Sequence, residues 1–128
     1  MARPKILLAD DHQAILDHVS HELAGEFDIV ATALDGEAAV TAALASKPDA
    51  VVLDISMPRL NGLDAARRLS ALPNPPRIVF LTVLEDEDFV DAAKSAGGSE
   101  YVLNRNMRSD LITALWHALG DRKRVSAR

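Results

Sequence analysis

Three carboxylates and one hydroxyl stand where short apolar runs stop. Lys5 to Ala9 runs into Asp10 and Asp11, Ala50 to Leu53 runs into Asp54, and Ile78 to Leu81 runs into Thr82. Carboxylates gathered without matching cations repel one another, and burying them is costly unless a metal ion or a proton neutralises them. If the four residues meet, they form an acidic pocket for a cation, with a hydroxyl beside it.

Meeting requires a particular kind of scaffold. Short apolar runs of this sort read as buried parallel strands, and open α/β sheets bind ligands outside the carboxyl ends of their strands. The rest of the chain fits that pattern. A helix is expected from about Gln13 to Ala24, with Ile15, Leu16, Val19 and Leu23 on one face. Phe27 to Leu34 reads as a second strand, Glu37 to Ser46 as an alanine-rich helix closed by Lys47-Pro48, and Gly62 to about Leu72 as a third helix. After the Pro73, Pro75 and Pro76 break and the strand ending at Thr82, a helix is expected over Glu85 to Ala96. Strand five follows at Tyr101 to Leu103, and a last helix over Ser109 to Leu119 is stopped by Gly120. Alternating strands and helices imply an α/β fold, a parallel sheet with helices on both faces.

Composition narrows the function classes. The 128 residues are 48% apolar and 26% charged, which suits one domain with a substantial core. No apolar run approaches the roughly 20 residues that span a bilayer, and no signal-peptide pattern opens the chain, so a cytoplasmic protein without membrane contact is expected. The absence of cysteine excludes disulfides, thiol catalysis and cysteine-bound zinc. A net charge of −5 argues against direct nucleic-acid binding.

Six features follow in order: the acidic pair after strand one, Asp54-x-x-Met57-Pro58, Asn61-Gly62, Leu81-Thr82, Ala96-Gly97 and Tyr101-Val102-Leu103. Together they resemble the receiver domain of a two-component response regulator, over roughly residues 5–120. The wording Ala9-Asp10-Asp11-His12 and Phe80-Leu81-Thr82-Val83 is similar to the subgroup with LuxR/NarL-type helix-turn-helix output domains. The resemblance implies a flavodoxin-like (βα)5 sheet of five parallel strands in the order 2-1-3-4-5. Residues 1–120 would be the receiver domain, and 121–128 a basic tail or the start of a linker.

The resemblance also implies roles. Asp54 would accept a phosphoryl group from the phosphohistidine of a sensor histidine kinase. Asp11 and Asp54 would bind Mg²⁺ (or Mn²⁺) directly and Asp10 through water, with the Ser56 backbone carbonyl as a further ligand. Thr82 would donate to a phosphoryl oxygen, and its movement would let Tyr101 change rotamer, altering a partner or homodimer surface. The domain would be a signalling module that at most catalyses its own phosphorylation and dephosphorylation. DNA would be reached only through an output domain in a longer parent protein.

One departure stands out. Receiver domains usually carry a lysine after strand five, and Asn104 occupies that position here. If the strand continues, Arg105 shares the side of Tyr101 and Leu103 and points away from the pocket. Glu100 stands where a glycine is usual, and the frequent proline after the lysine is missing. A cation ~4 Å from a carboxylate is worth about 4 kcal/mol at an effective dielectric of 20. Without it, the pocket leans on Mg²⁺ or on raised carboxylate pKa values. The alternative function is therefore a pseudo-receiver that signals through binding alone.

Residue by residue, plainer readings stay open. Asp10 or Asp11 could cap the first helix, Asp54 could form a turn, Thr82 could be a β-former and Tyr101 a core residue. His18 and His21, three apart, lie opposite their helix's apolar face and read as solvated. Trp116 borders the stripe of Leu111, Ile112, Leu115 and Leu119, at the core edge or against a partner. A flavin site would want a Ser/Thr/Gly-rich loop where Asp10-Asp11-His12 stands. A haloacid-dehalogenase-type phosphatase would want an acid at Ser56.

Overall fold

A computed structural model describes residues 3–120. Its elements alternate without exception: β1 (Lys5–Ala9), α1 (Gln13–Leu23), β2 (Asp28–Ala33), α2 (Gly36–Ser46), β3 (Ala50–Leu53), α3 (Gly62–Ser70), β4 (Arg77–Thr82), α4 (Glu87–Ser95), β5 (Glu100–Leu103) and α5 (Met107–Ala118). The five strands are parallel and lie in the order 2-1-3-4-5, the arrangement expected.

Strand side chains alternate between two buried faces. Ile6, Leu8, Val52, Val79 and Leu81 face Leu16, Val19 and Leu23 of α1 and Leu111, Leu115 and Trp116 of α5. Leu7, Val51, Leu53, Ile78 and Phe80 face α2, α3 and α4, whose contacts are mostly alanines such as Ala39, Ala43, Ala65, Ala66 and Ala93. Both faces being covered is why the strands read as unbroken apolar runs. Trp116 is core: it stacks on Phe27 with ring centroids 4.9 Å apart, and its indole N–H donates to Glu26 Oε1 at 2.8 Å.

Several boundaries differ from expectation, each for a local reason. The α4 helix starts at Glu87 because Asp86 caps it, its carboxylate accepting from the Asp88 N–H at 2.8 Å, so Glu85 lies outside the helix. The α5 helix starts two residues early because β5 stops at Leu103 and a 3₁₀ turn over Asn104–Asn106 winds directly into it. The condition for Arg105 continuing the strand is thus not met. Gly120 has φ +79°, the left-handed stop expected after a helix. No described helix is long and apolar enough to cross a membrane. The expected basic tail, 121–128, lies outside the described residues.

Candidate functional site

Three polar or charged side chains among the described residues are buried: Asp10 (7% exposed), Asp54 (8%) and Thr82 (1%). All three stand at the carboxyl edge of the sheet. The backbone brings them there, since the Asp54 N–H donates to the Ala9 carbonyl and the Asp10 N–H to the Ala33 carbonyl, each at 3.0 Å. These bonds extend the β3–β1 and β1–β2 ladders by one residue, so the acids sit on neighbouring strand ends.

The loop after β3 is pinned back over its strand. Ile55 and Met57 are buried while Ser56 between them is exposed. Asn61 caps α3 through the Asp64 N–H at 2.9 Å, and the Gly62 N–H donates to the Ile55 carbonyl at 2.7 Å. Gly62 must be glycine: a Cβ there would lie 1.9 Å from the Asp54 carbonyl oxygen. Between these anchors Arg59 adopts φ +67° within a tight turn closed by Leu60 N–H to the Pro58 carbonyl, and its guanidinium pairs with Asp35 at 3.5 Å.

Electrostatics follow from this packing. Burial, and next the charge of Asp10, push the Asp54 carboxyl up to about 6, against the opposing pull of the Thr82 hydroxyl and the N–H groups of Ile55 and Ser56. Burial raises the Tyr101 phenol too, with Asp54 and Asp86 adding to it. Tyr101 is half-buried, and its hydroxyl donates to the Leu84 carbonyl at 2.7 Å. The Leu84 N–H in turn donates to Thr82 Oγ1 at 3.3 Å. Thr82 and Tyr101 thus hold the same loop residue from two strands.

Asp11 is more exposed than Asp10 and joins it through a residue absent from the expected site, His12. Its Nδ1 lies 3.0 Å from Asp10 Oδ1 and 2.9 Å from Asp11 Oδ1, and its backbone N–H donates to Asp10 Oδ1 at 2.9 Å. The hydrogen bond to Asp10 raises the imidazole's pKa most, followed by the charges of Asp11 and Asp10. The legible signal was a histidine two residues after an acid at a strand end, where a short turn folds the ring back. His12 is the N-cap of α1, and no side chain caps that helix. The plainer reading of Asp10 or Asp11 as a cap is therefore corrected: their oxygens face His12 instead.

Asn104 follows Leu103, the register partner of Thr82, and is half-buried. Arg105, one residue on, pairs with Glu85 on the β4–α4 loop, where both side chains are more than half exposed. His18 and His21 are exposed on α1. A cleft of about 790 Å³ lies elsewhere, at the opposite sheet edge, lined by Leu44, Lys47, Pro73, Arg77 and Leu119 among others.

A model of the response regulator receiver domain matches residues 6–116 of the chain. The transcriptional regulatory protein PdtaR of Mycobacterium tuberculosis is 36% identical over 124 residues, covering 96% of this chain and 60% of that protein. DegU of Brevibacillus brevis, also a transcriptional regulatory protein, is 34% identical over 113 residues, covering 87% and 48% respectively. The chain therefore spans 60% or less of these relatives. A two-component response regulator of the LuxR family from Aurantimonas sp. SI85-9A1 superposes with a TM-score of 0.88 at 27% identity, covering 94% of this chain and 88% of that one. The response regulator domain of Thermotoga maritima CheB shares the fold, with a TM-score of 0.86 at 23% identity over 92% and 97% of the two chains.

Proposed function

This chain belongs to the response regulator receiver domain family of two-component signalling, and from that premise we propose that Asp54 is its phosphoacceptor and that phosphorylation switches a partner surface. The observation that carries the reading is the burial of Asp10, Asp54 and Thr82, and of no other polar side chain among the described residues, at one sheet edge. Stability alone gives no reason to bury two carboxylates side by side.

In the proposed reaction an Asp54 oxygen attacks the phosphorus of a kinase phosphohistidine. The new P–O bond forms as the P–N bond breaks, and the imidazole keeps its electron pair and takes up a proton. Such transfer needs positioning and charge neutralisation above all. Receiver domains generally bind Mg²⁺ at an acidic pocket, and the hard carboxylate oxygens of Asp10, Asp11 and Asp54, with the Ser56 carbonyl, suit Mg²⁺ or Mn²⁺. When bound, the cation neutralises the phosphoryl oxygens. The N–H groups of Ile55 and Ser56 favour the ionised Asp54 carboxylate, the form that attacks. Thr82 offers its hydroxyl to the phosphoryl group; moving there would release the Leu84 N–H and loosen the loop that Tyr101 grips.

The surroundings of the function are part of the same proposal. Residues 1–120 are the receiver unit of a longer transcription regulator in the cytoplasm, a sensor histidine kinase is its donor, and a homodimer is one form of its output. The alternative, a pseudo-receiver acting by binding alone, draws on Asn104, which brings no charge, and on Arg105, whose cation is engaged by Glu85.

Incubation with acetyl phosphate and Mg²⁺, followed by intact-mass measurement, separates the two. One phosphoryl increment on the wild type and none on Asp54→Asn is expected. An unmodified wild type, with a donor verified on another receiver, would falsify phosphorylation-dependent signalling and leave the binding module.

A further inference from the structure

Resting on the reading of Asp54 as phosphoacceptor, we propose that the Arg105–Glu85 ion pair is an electrostatic hold on the β4–α4 loop. Its strength sets how readily that loop releases when Asp54 is phosphorylated. Only residues 83–86 join β4 to α4. Two consecutive ones are tied down by side chains from three different elements. Leu84 is held through its N–H by Thr82 of β4 and through its carbonyl by Tyr101 of β5. Glu85 is held by Arg105, whose Nη1 lies 2.5 Å from Glu85 Oε1. Thr82 and Tyr101 act through uncharged hydrogen bonds, so of these three contacts Arg105 alone makes one that salt can screen.

Arg105 reaches the loop from a firm base. It stands in the 3₁₀ turn closed by the Met107 N–H on the Asn104 carbonyl, and that turn passes into α5 at the buried Met107. Glu85 has no competing duty at the helix start, since Asp86 caps α4 in its place. An ion pair with both side chains open to solvent is weak. Weakness suits a switch, because a hold that changes the opening equilibrium by up to about fivefold tunes release without locking the loop. In the reading above, phosphorylation draws Thr82 away from the Leu84 N–H and leaves Tyr101 and Arg105 to be overcome. A chain whose loop is already released in a larger minor population reacts faster in proportion to that population.

The test uses the whole 128-residue chain as wild type, Arg105→Gln, Glu85→Gln and the swapped pair Glu85→Arg/Arg105→Glu. Two quantities are read: NMR-detected exchange of the Leu84 amide in unphosphorylated protein, and the rate of phosphoryl gain from acetyl phosphate with Mg²⁺. Arg105 is remote in sequence from Leu84, so replacing it leaves that amide's intrinsic exchange alone and reports loop opening directly. At low salt Arg105→Gln should speed Leu84 exchange by about two- to fivefold, and both single variants should speed phosphoryl gain by the same factor. The swapped pair should return both quantities to within about 1.5-fold of wild type. In about 1 M NaCl all four proteins should converge. A merely structural role for either residue would be neither rescued by the swap nor erased by salt. Leu84 exchange unchanged in Arg105→Gln, or changed and not rescued, overturns the inference. So does exchange that responds beside a phosphorylation rate that does not, since the hold would then not govern release. A wild type that gains no phosphoryl group, with a donor verified on another receiver, removes the phosphoacceptor reading and this inference with it.

Discussion

Burial and the neighbouring Asp10 charge make Asp54 resist ionisation, and that has a measurable sign. Its pKa rises from 3.8 to about 6, so between those values the folded protein holds more protons than the unfolded chain. Stability contributed by this group therefore falls as pH rises through that window, and above it the full penalty applies, at most about 3 kcal/mol. Asp54→Asn removes the charge. It should raise the melting temperature of metal-free protein at neutral pH, with the gain shrinking as the pH drops below about 6. Thermal melts in chelator across that range check it, and a gain that persists undiminished at acid pH would locate the strain elsewhere. Asn104→Lys approaches the same penalty from the other side by supplying an ammonium at the end of β5. It should stabilise the metal-free protein and weaken the dependence of its melting on Mg²⁺. No change would mean that residue 104 does not reach the pocket.

At the scale of elements, the loop between β3 and α3 is the part built with least tolerance. Gly62→Ala would drive a methyl into the Asp54 carbonyl oxygen. The expected loss is more than about 3 kcal/mol, as for other unrelieved backbone clashes. Urea unfolding would show it, and a near-normal midpoint would mean the loop can retreat from the strand. The elements themselves were legible because the central strands β1, β3 and β4 are apolar on both faces and α1 carries its apolar residues on one. Their ends were less so. Where α4 begins depends on Asp86 swinging its carboxylate onto the Asp88 N–H, and where β5 ends depends on the turn at Asn104. Those choices are made by single hydrogen bonds and a few dihedral angles, which residue periodicity does not encode.

Across the whole molecule, α1 and α5 cover one face of the sheet and α2, α3 and α4 the other, leaving the carboxyl edge open above β1, β3 and β4. A ligand gripped there binds only the folded protein and stabilises it by mass action, by about 2.7 kcal/mol at a hundredfold excess over Kd. Millimolar Mg²⁺ should accordingly raise the melting temperature of the wild type, and raise it less in Asp54→Asn. A melting curve indifferent to Mg²⁺ would count against an acidic pocket that works as a unit.

The order of apolar runs, the acids that end them and the substitution at Asn104 were all determined by the sequence, because strand burial and parallel connection leave few arrangements for such a pattern. That Asp10, Asp54 and Thr82 are buried together, that Asp54 resists ionisation, and that Arg105 turns toward Glu85 were decided only in three dimensions. So was the placing of His12 between two carboxylates. Each depends on distances between residues far apart in the chain or on the direction of a single turn, and those are set when the whole sheet packs.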